Sequence, residues 1–239
     1  MKKSKISNSI IGLLAASVII AVWGASLVFL ITRDNNQLHP LLIPIAILWQ
    51  TFLYTGLFIT AHDAMHGTVV PANRKMNNAI GTFVVFIYAL FSYKNLLNKH
   101  WDHHKYPASQ RDPDFNDGIH KNFFQWYVRF IRNYITWKQI VGMAIVFNVL
   151  LHLFHISILN LLLFWVTPSL LSTFQLFYFG TFLPHRETAE GYKDKYRARS
   201  VRLPAILSFL TCYHFGGFHW EHHAYPNVAW WNLPMTRTK

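Results

Sequence analysis

The stretch LLIPIAILWQTFLYTGLFITAHDAMH, residues 41–66, joins two messages. From Leu41 to Ala61 only Pro44 and Gln50 interrupt an apolar run, long enough as a helix to cross about 30 Å of hydrocarbon. The run ends directly in His62 and His66. Residues four apart lie on one face of a helix, so a membrane span delivers two imidazoles to a common point at one face of the bilayer.

Working outward, Ile10 to Ile31 is a second uncharged span, preceded by Lys2, Lys3 and Lys5. It is too long for the apolar region of a cleaved signal peptide and is read as a retained helix. The loop from Arg33 to His39 is short. Ala79 to Ser92 is apolar but short, which fits an interfacial or re-entrant helix. Residues 93–138 are basic and read as aqueous. Ile140 to Leu159 and Leu161 to Phe182 read as two more spans with a tight turn at Asn160. Residues 186–202 are basic again, and the apolar patch Leu203 to Tyr213 is too short to cross.

Hydrophobic residues make up 52% of the 239 and charged residues 13%, about half the charged share of a typical soluble domain. The 22 Lys and Arg against 10 Asp and Glu lie between apolar runs, which points to a membrane surface and away from nucleic acid. With four crossings, both termini and every basic segment share one side, leaving Arg33 alone opposite. By the positive-inside rule that side is cytoplasmic. The expected architecture is an all-α membrane protein of one domain, residues 1–239, with four transmembrane helices and short interfacial or re-entrant helices, in the plasma (inner) membrane.

The chain has 14 histidines, and its only glutamates are Glu187, Glu190 and Glu221. Three clusters stand out: His62-Asp-Ala-Met-His66, His100-Trp-Asp-His103-His104 and His219-Trp-Glu-His222-His223. The four-crossing topology puts all three at the cytoplasmic face. Eight imidazoles exceed what one ion uses, so two metals are implied. Imidazole suits Fe, Zn, Cu and Ni alike, and ligand type alone does not choose. The glutamate-rich di-iron design of soluble bundles is unavailable with three glutamates. Cys212, the one cysteine, excludes a disulfide framework and a Cys-ligated iron–sulfur cluster.

His185, in Leu-Pro-His-Arg at the end of the last span, is read as a ninth ligand, with His214 as the alternative. His152 and His155 lie toward the outer half of the third span and suit helix–helix hydrogen bonding; His39 and His120 read as solvated loop residues. Asp63, Asp102 and Glu221 sit inside the clusters, where a carboxylate can accept the second N–H of a metal-bound imidazole. The alternative for each is a solvated charge. Asp112 and Asp114, in a turn signal, are offered the same orienting role. Trp101, Trp220, Trp230 and Trp231 read as interface aromatics ahead of substrate-tunnel walls.

The cluster series resembles the membrane fatty acid desaturase and hydroxylase superfamily. Closer still, residues 58–67 (FITAHDAMHG), 100–104 (HWDHH), 179–186 (FGTFLPHR), 212–226 (CYHFGGFHWEHHAYP) and 230–234 (WWNLP) look like the bacterial-type β-carotene 4-ketolases. The resemblance runs from about residue 40 to the C-terminus; Val228-Ala229 stands where the pattern leads one to expect a proline. It implies two non-haem irons held by the boxed histidines, O2 as co-substrate and electrons from a ferredoxin or similar reductase chain. The absence of a Gly-rich dinucleotide fingerprint agrees with an external electron supply. It further implies two successive hydroxylations at C4 of the β-ionone ring, taking β-carotene through echinenone to canthaxanthin and zeaxanthin to astaxanthin.

A carotenoid hydroxylase or fatty acyl desaturase on the same scaffold is the nearest rival, since fold does not decide function. A non-enzymatic metal transporter would spread histidines through membrane depth. A zinc protease would carry His-Glu-x-x-His, a string that is absent.

Overall fold

A computed structural model of the chain describes residues 2–34 and 39–237, with side chains from residue 5 onward. Most of the loop expected after the first span, the side chains of Lys2 and Lys3, and the extreme termini fall outside the described residues. All regular structure among the described residues is helical. Helix α1 (Lys2–Thr32) and α2 (Leu42–His66) are the two expected spans. Their 31 and 25 residues give about 46 and 37 Å of helix at 1.5 Å per residue.

Three helices are long and apolar enough to cross a membrane: Lys5–Thr32 within α1, α2 itself, and Ile158–His185. Two bent pairs raise the number to as many as five, a range that contains the expected four. In the first pair, α3 (Arg74–Ala89) turns by 102° into α4 (Tyr93–Lys105). The corner is Leu90, whose left-handed φ of 55° lets its N–H and that of Phe91 reach the last carbonyls of α3. In the second, α5 (Phe123–Tyr134) turns by 86° into α6 (Trp137–Leu153). Segment 93–138, expected to be largely aqueous, thus carries two helices on a bent path.

The tight turn expected at Asn160 lies elsewhere. The chain reverses at residues 154–157, where His155 takes a φ of 54°, and α7 runs unbroken in direction from Ile158 to His185. Asn160 is a buried residue inside α7. Its amide donates to the carbonyls of Ile31 (2.9 Å) and Arg33 (2.7 Å), two acceptors that the end of α1 leaves free. A polar residue mid-span therefore marks a contact between helices. His152 and His155 are exposed and make no hydrogen bond to another helix among the described residues, so the role expected for them is not seen.

Polar side chains also join the spans deeper in the bundle. The Thr55 hydroxyl of α2 donates to Gln175 Oε1 of α7 (2.7 Å), and the Tyr88 hydroxyl of α3 donates to Ser172 Oγ (3.1 Å). Asn77 of α3, fully buried, donates to the Ala64 carbonyl (2.7 Å) and accepts from the Val70 N–H (3.2 Å). The Asn77 bonds brace the end of α2 that carries His62 and His66. Away from lipid-facing Leu14, Val18 and Phe29, the bundle core gathers around Tyr54, Leu57, Met65 and Tyr88.

Candidate metal centre and its cleft

Helix α2 stops immediately after its second histidine because Gly67 adopts a φ of 75°. The Gly67 N–H then reaches the Ala64 carbonyl (3.0 Å) and the Thr68 N–H the Asp63 carbonyl (3.0 Å). A Cβ at Gly67 would meet only the movable end of the Arg74 side chain, so it is the left-handed conformation that favours glycine.

The nine histidines expected as ligands come together in two groups. His62, His66, His100, His104 and His222 form the first; His103, His185, His219 and His223 form the second. Within each group one ring nitrogen per residue lies within 4.8 Å of all the others. The spacing within the boxes explains the division. His100 and His104, four apart on α4, face the first group, while His103 turns to the second. On the short helix α8 (His219–Ala224) the pair His219 and His223 faces the second group and His222 the first. Each His-x-x-His-His box thus serves both groups, and stacked His104 and His223, 4.3 Å between ring centroids, lie where they meet.

Nitrogen geometry tests whether metal ions fit. Nε2 atoms approach in pairs: His66 to His100 at 2.6 Å, His104 to His222 at 3.0 Å, His185 to His219 at 2.9 Å and His219 to His223 at 3.1 Å. Two nitrogens each about 2.1 Å from one ion and 90–110° apart would lie about 3.0–3.4 Å from each other, a spacing that His104–His222 and His219–His223 already have, while the other two pairs stand closer. In the second group two rings are fixed from outside. His103 Nδ1–H donates to Asp112 Oδ1 (3.0 Å) and His185 Nδ1–H to the Arg197 carbonyl (2.9 Å). Their Nε2 atoms therefore face inward, the usual arrangement of an imidazole held for a metal. Nδ1 of His66, His219, His222 and His223 is buried without a hydrogen-bond partner among the described residues. Burial first, then the neighbouring imidazoles, pushes His219, His222 and His223 well below the ordinary histidine range. They are neutral at pH 7, the form that binds cations. The donor set fits two metal ions.

The acids in and near the boxes divide differently from expectation. Asp63 is buried, 3.8 Å from His62 Nδ1, and accepts the Trp230 N–H (3.1 Å). Asp102 is exposed on the outer face of α4, away from the ligand cluster, and orients no histidine. Glu221 binds Arg237 (2.7 Å) and the Ser200 hydroxyl, so it ties down the C-terminal segment and leaves the imidazoles alone. The orienting carboxylate is Asp112, which also accepts the N–H groups of Ala108 (2.8 Å) and Asp114 (2.9 Å). Burial alone would push its carboxyl up, but His103 outweighs burial and holds it below the usual carboxylate range. His214, the alternative ninth ligand, belongs to neither group; its Nδ1 pairs with Ser208 Oγ (3.1 Å). His120 is an exposed loop residue paired with Asp117 (2.8 Å), and His39 is likewise exposed.

Both groups open onto one cleft. Its walls are apolar, with Phe58, Phe91, Phe130, Ile131 and Phe215 prominent, and His62, His100, His103, His104, His219, His222 and His223 border it. None of the four tryptophans singled out above lines it. Cys212 does, but burial pushes its thiol up to about 12, so it offers no thiolate.

The fatty acid desaturase family model matches residues 38–141 and 123–239. The chain belongs to the fatty acid desaturase family. Within it, similarity runs to the β-carotene ketolases. A β-carotene ketolase of Paracoccus sp. (strain N81106 / MBIC 01143) is 42% identical over 95% of this chain and 92% of its own length. Another, from Paracoccus sp. (strain PC1), is 37% identical over 99% and 96%. A zeaxanthin 4-ketolase of Chlamydomonas reinhardtii is 37% identical over 97% of this chain and 52% of its own length. Family and helices together describe an oxidoreductase built to reside in a membrane.

Proposed function

We propose that this protein is a β-carotene ketolase that oxidises C4 of the β-ionone ring twice, using two irons, O2 and electrons from a ferredoxin or similar reductase. The observation that carries the reading is the convergence of nine histidines in groups of five and four, seven of them bordering an apolar cleft. Its support is the identity to ketolases along nearly the whole chain. Each round consumes one O2, two electrons and two protons, places one oxygen atom on C4 as a hydroxyl and releases the other as water. The second round leaves two hydroxyls on one carbon, and loss of water gives the ketone.

Two irons, when bound, supply the activation of O2 that attack on an allylic C–H requires. The protein's own groups do the rest. His62, His66, His100, His104 and His222 would hold one ion, and His103, His185, His219 and His223 the other. Asp112 and the Arg197 carbonyl fix two of those rings. Phenylalanines of the cleft exclude water and take up the hydrocarbon ring. Expressed in a host that accumulates β-carotene, the protein should yield echinenone and canthaxanthin. Unchanged β-carotene beside membrane-inserted, iron-loaded protein contradicts the reading; zeaxanthin as sole product would make it a hydroxylase.

The distribution of basic residues supports an orientation with the histidine groups and both termini in the cytoplasm. Ile119 is 79% exposed, whereas neighbouring Asn116 is buried. Cysteine placed at Ile119 should be labelled from the cytoplasmic side and cysteine at His39 from the opposite side, against a quiet background because Cys212 is buried. Labelling of both from one side contradicts the orientation.

A further inference from the structure

Among the hydroxyls that line the cleft, Thr181 differs from its neighbours. Thr173 is bonded to the Tyr127 hydroxyl and the Leu170 carbonyl, and Tyr134 donates to Asp114. Elsewhere in the spans, Thr51 and Thr60 turn back to the carbonyl four residues earlier at 2.7 and 2.8 Å. Thr181 is 4% exposed and makes no side-chain hydrogen bond among the described residues. Its position explains why. It lies in a π-helical turn, Tyr178–Phe182, whose wider winding disturbs the usual i to i−4 geometry. Such turns recur at functional sites because they re-aim side chains.

An unpaired hydroxyl in an apolar wall is unfavourable unless something meets it. There is room for a partner: a Cβ added at the adjacent Gly180, also in the cleft wall, would touch nothing within 4 Å. Thr181 lines the same cleft as His103, His219 and His223 of the second histidine group. The free hydroxyl is thus in a wall of the cleft where a ring being oxidised would lie.

We propose that Thr181 is a specificity-determining residue that hydrogen-bonds a hydroxyl on the substrate ring and so fixes the ring for oxidation. The inference rests on the ketolase reading, under which C4 must carry a hydroxyl between the two rounds. Ring hydroxyls have two sources, the C4 group left by the first round and a C3 group already present on zeaxanthin.

The test compares wild type, Thr181→Val and Thr181→Ser in membranes supplied with β-carotene or zeaxanthin, with iron per inserted protein measured in each. If Thr181 holds the C4 hydroxyl, Thr181→Val on β-carotene raises the ratio of 4-hydroxy product to ketone by about tenfold, the worth of one ordinary hydrogen bond. If it holds the C3 hydroxyl, conversion of zeaxanthin falls by about the same factor. In either case Thr181→Ser restores wild-type behaviour and iron content stays constant. Wild-type ratio and conversion for Thr181→Val on both substrates overturn the proposal, as does failure of Thr181→Ser to rescue. Should Thr181→Val fail to insert, Thr181→Ala carries the same comparison. A wild type that makes no ketone at all removes the ketolase reading and this inference with it.

Discussion

Changing any one of His62, His66, His100, His103, His104, His185, His219, His222 or His223 to alanine is expected to lower ketone formation at least about 100-fold. Partners that merely orient a metal ligand are worth about 10–100-fold in metal affinity or activity, and loss of a ligand itself exceeds that. The two groups share both His-x-x-His-His helices and meet at His104 and His223, so disturbing one disturbs the other. His39→Ala, His120→Ala, His152→Ala, His155→Ala and His214→Ala should retain activity per inserted molecule. His214 is the discriminating member of that set, because sequence placed it beside His185 as a rival ligand. The measurement is ketone per unit of membrane-inserted protein. Wild-type output after loss of two grouped histidines would mean that the groups are not the reacting site.

The second large effect is expected at Asp112. Asp112→Asn replaces a carboxylate that accepts three N–H groups, including His103 Nδ1–H. An amide there presents only one oxygen and cannot stabilise the ring as a carboxylate does. Iron retention and turnover should fall by about 10–100-fold, while the protein still inserts. Asp102→Asn, inside the box but exposed, should behave as wild type. Equal effects at the two positions would contradict the assignment of His103's partner.

That contrast shows where the sequence was legible. The histidine groups could be read because a metal site demands a residue type at helical spacing, and His-x-x-x-His and His-x-x-His-His satisfy both requirements. Long apolar runs gave α1, α2 and most of α7 for the same reason, a single local constraint written in consecutive residues. The carboxylate partner was only partly legible: Asp112 is among the acids offered an orienting role, but it reaches His103 through a loop fold that no spacing encodes, while Asp102 and Glu221 look better placed in the chain. Asn160 misled as a turn because its amide finds the carbonyls of α1, a contact that exists only in three dimensions. The π-helical turn at Thr181 follows from packing around the cleft and leaves no mark in composition.

The central claim is that nine histidines hold two irons. Elemental analysis of protein purified from iron-replete cells, with protein concentration fixed by amino-acid analysis, tests it most directly. The account predicts about two irons per chain, falling in His104→Ala and in His223→Ala, which stand on either side of the boundary between the groups. One iron per chain, or zinc alone, would contradict it.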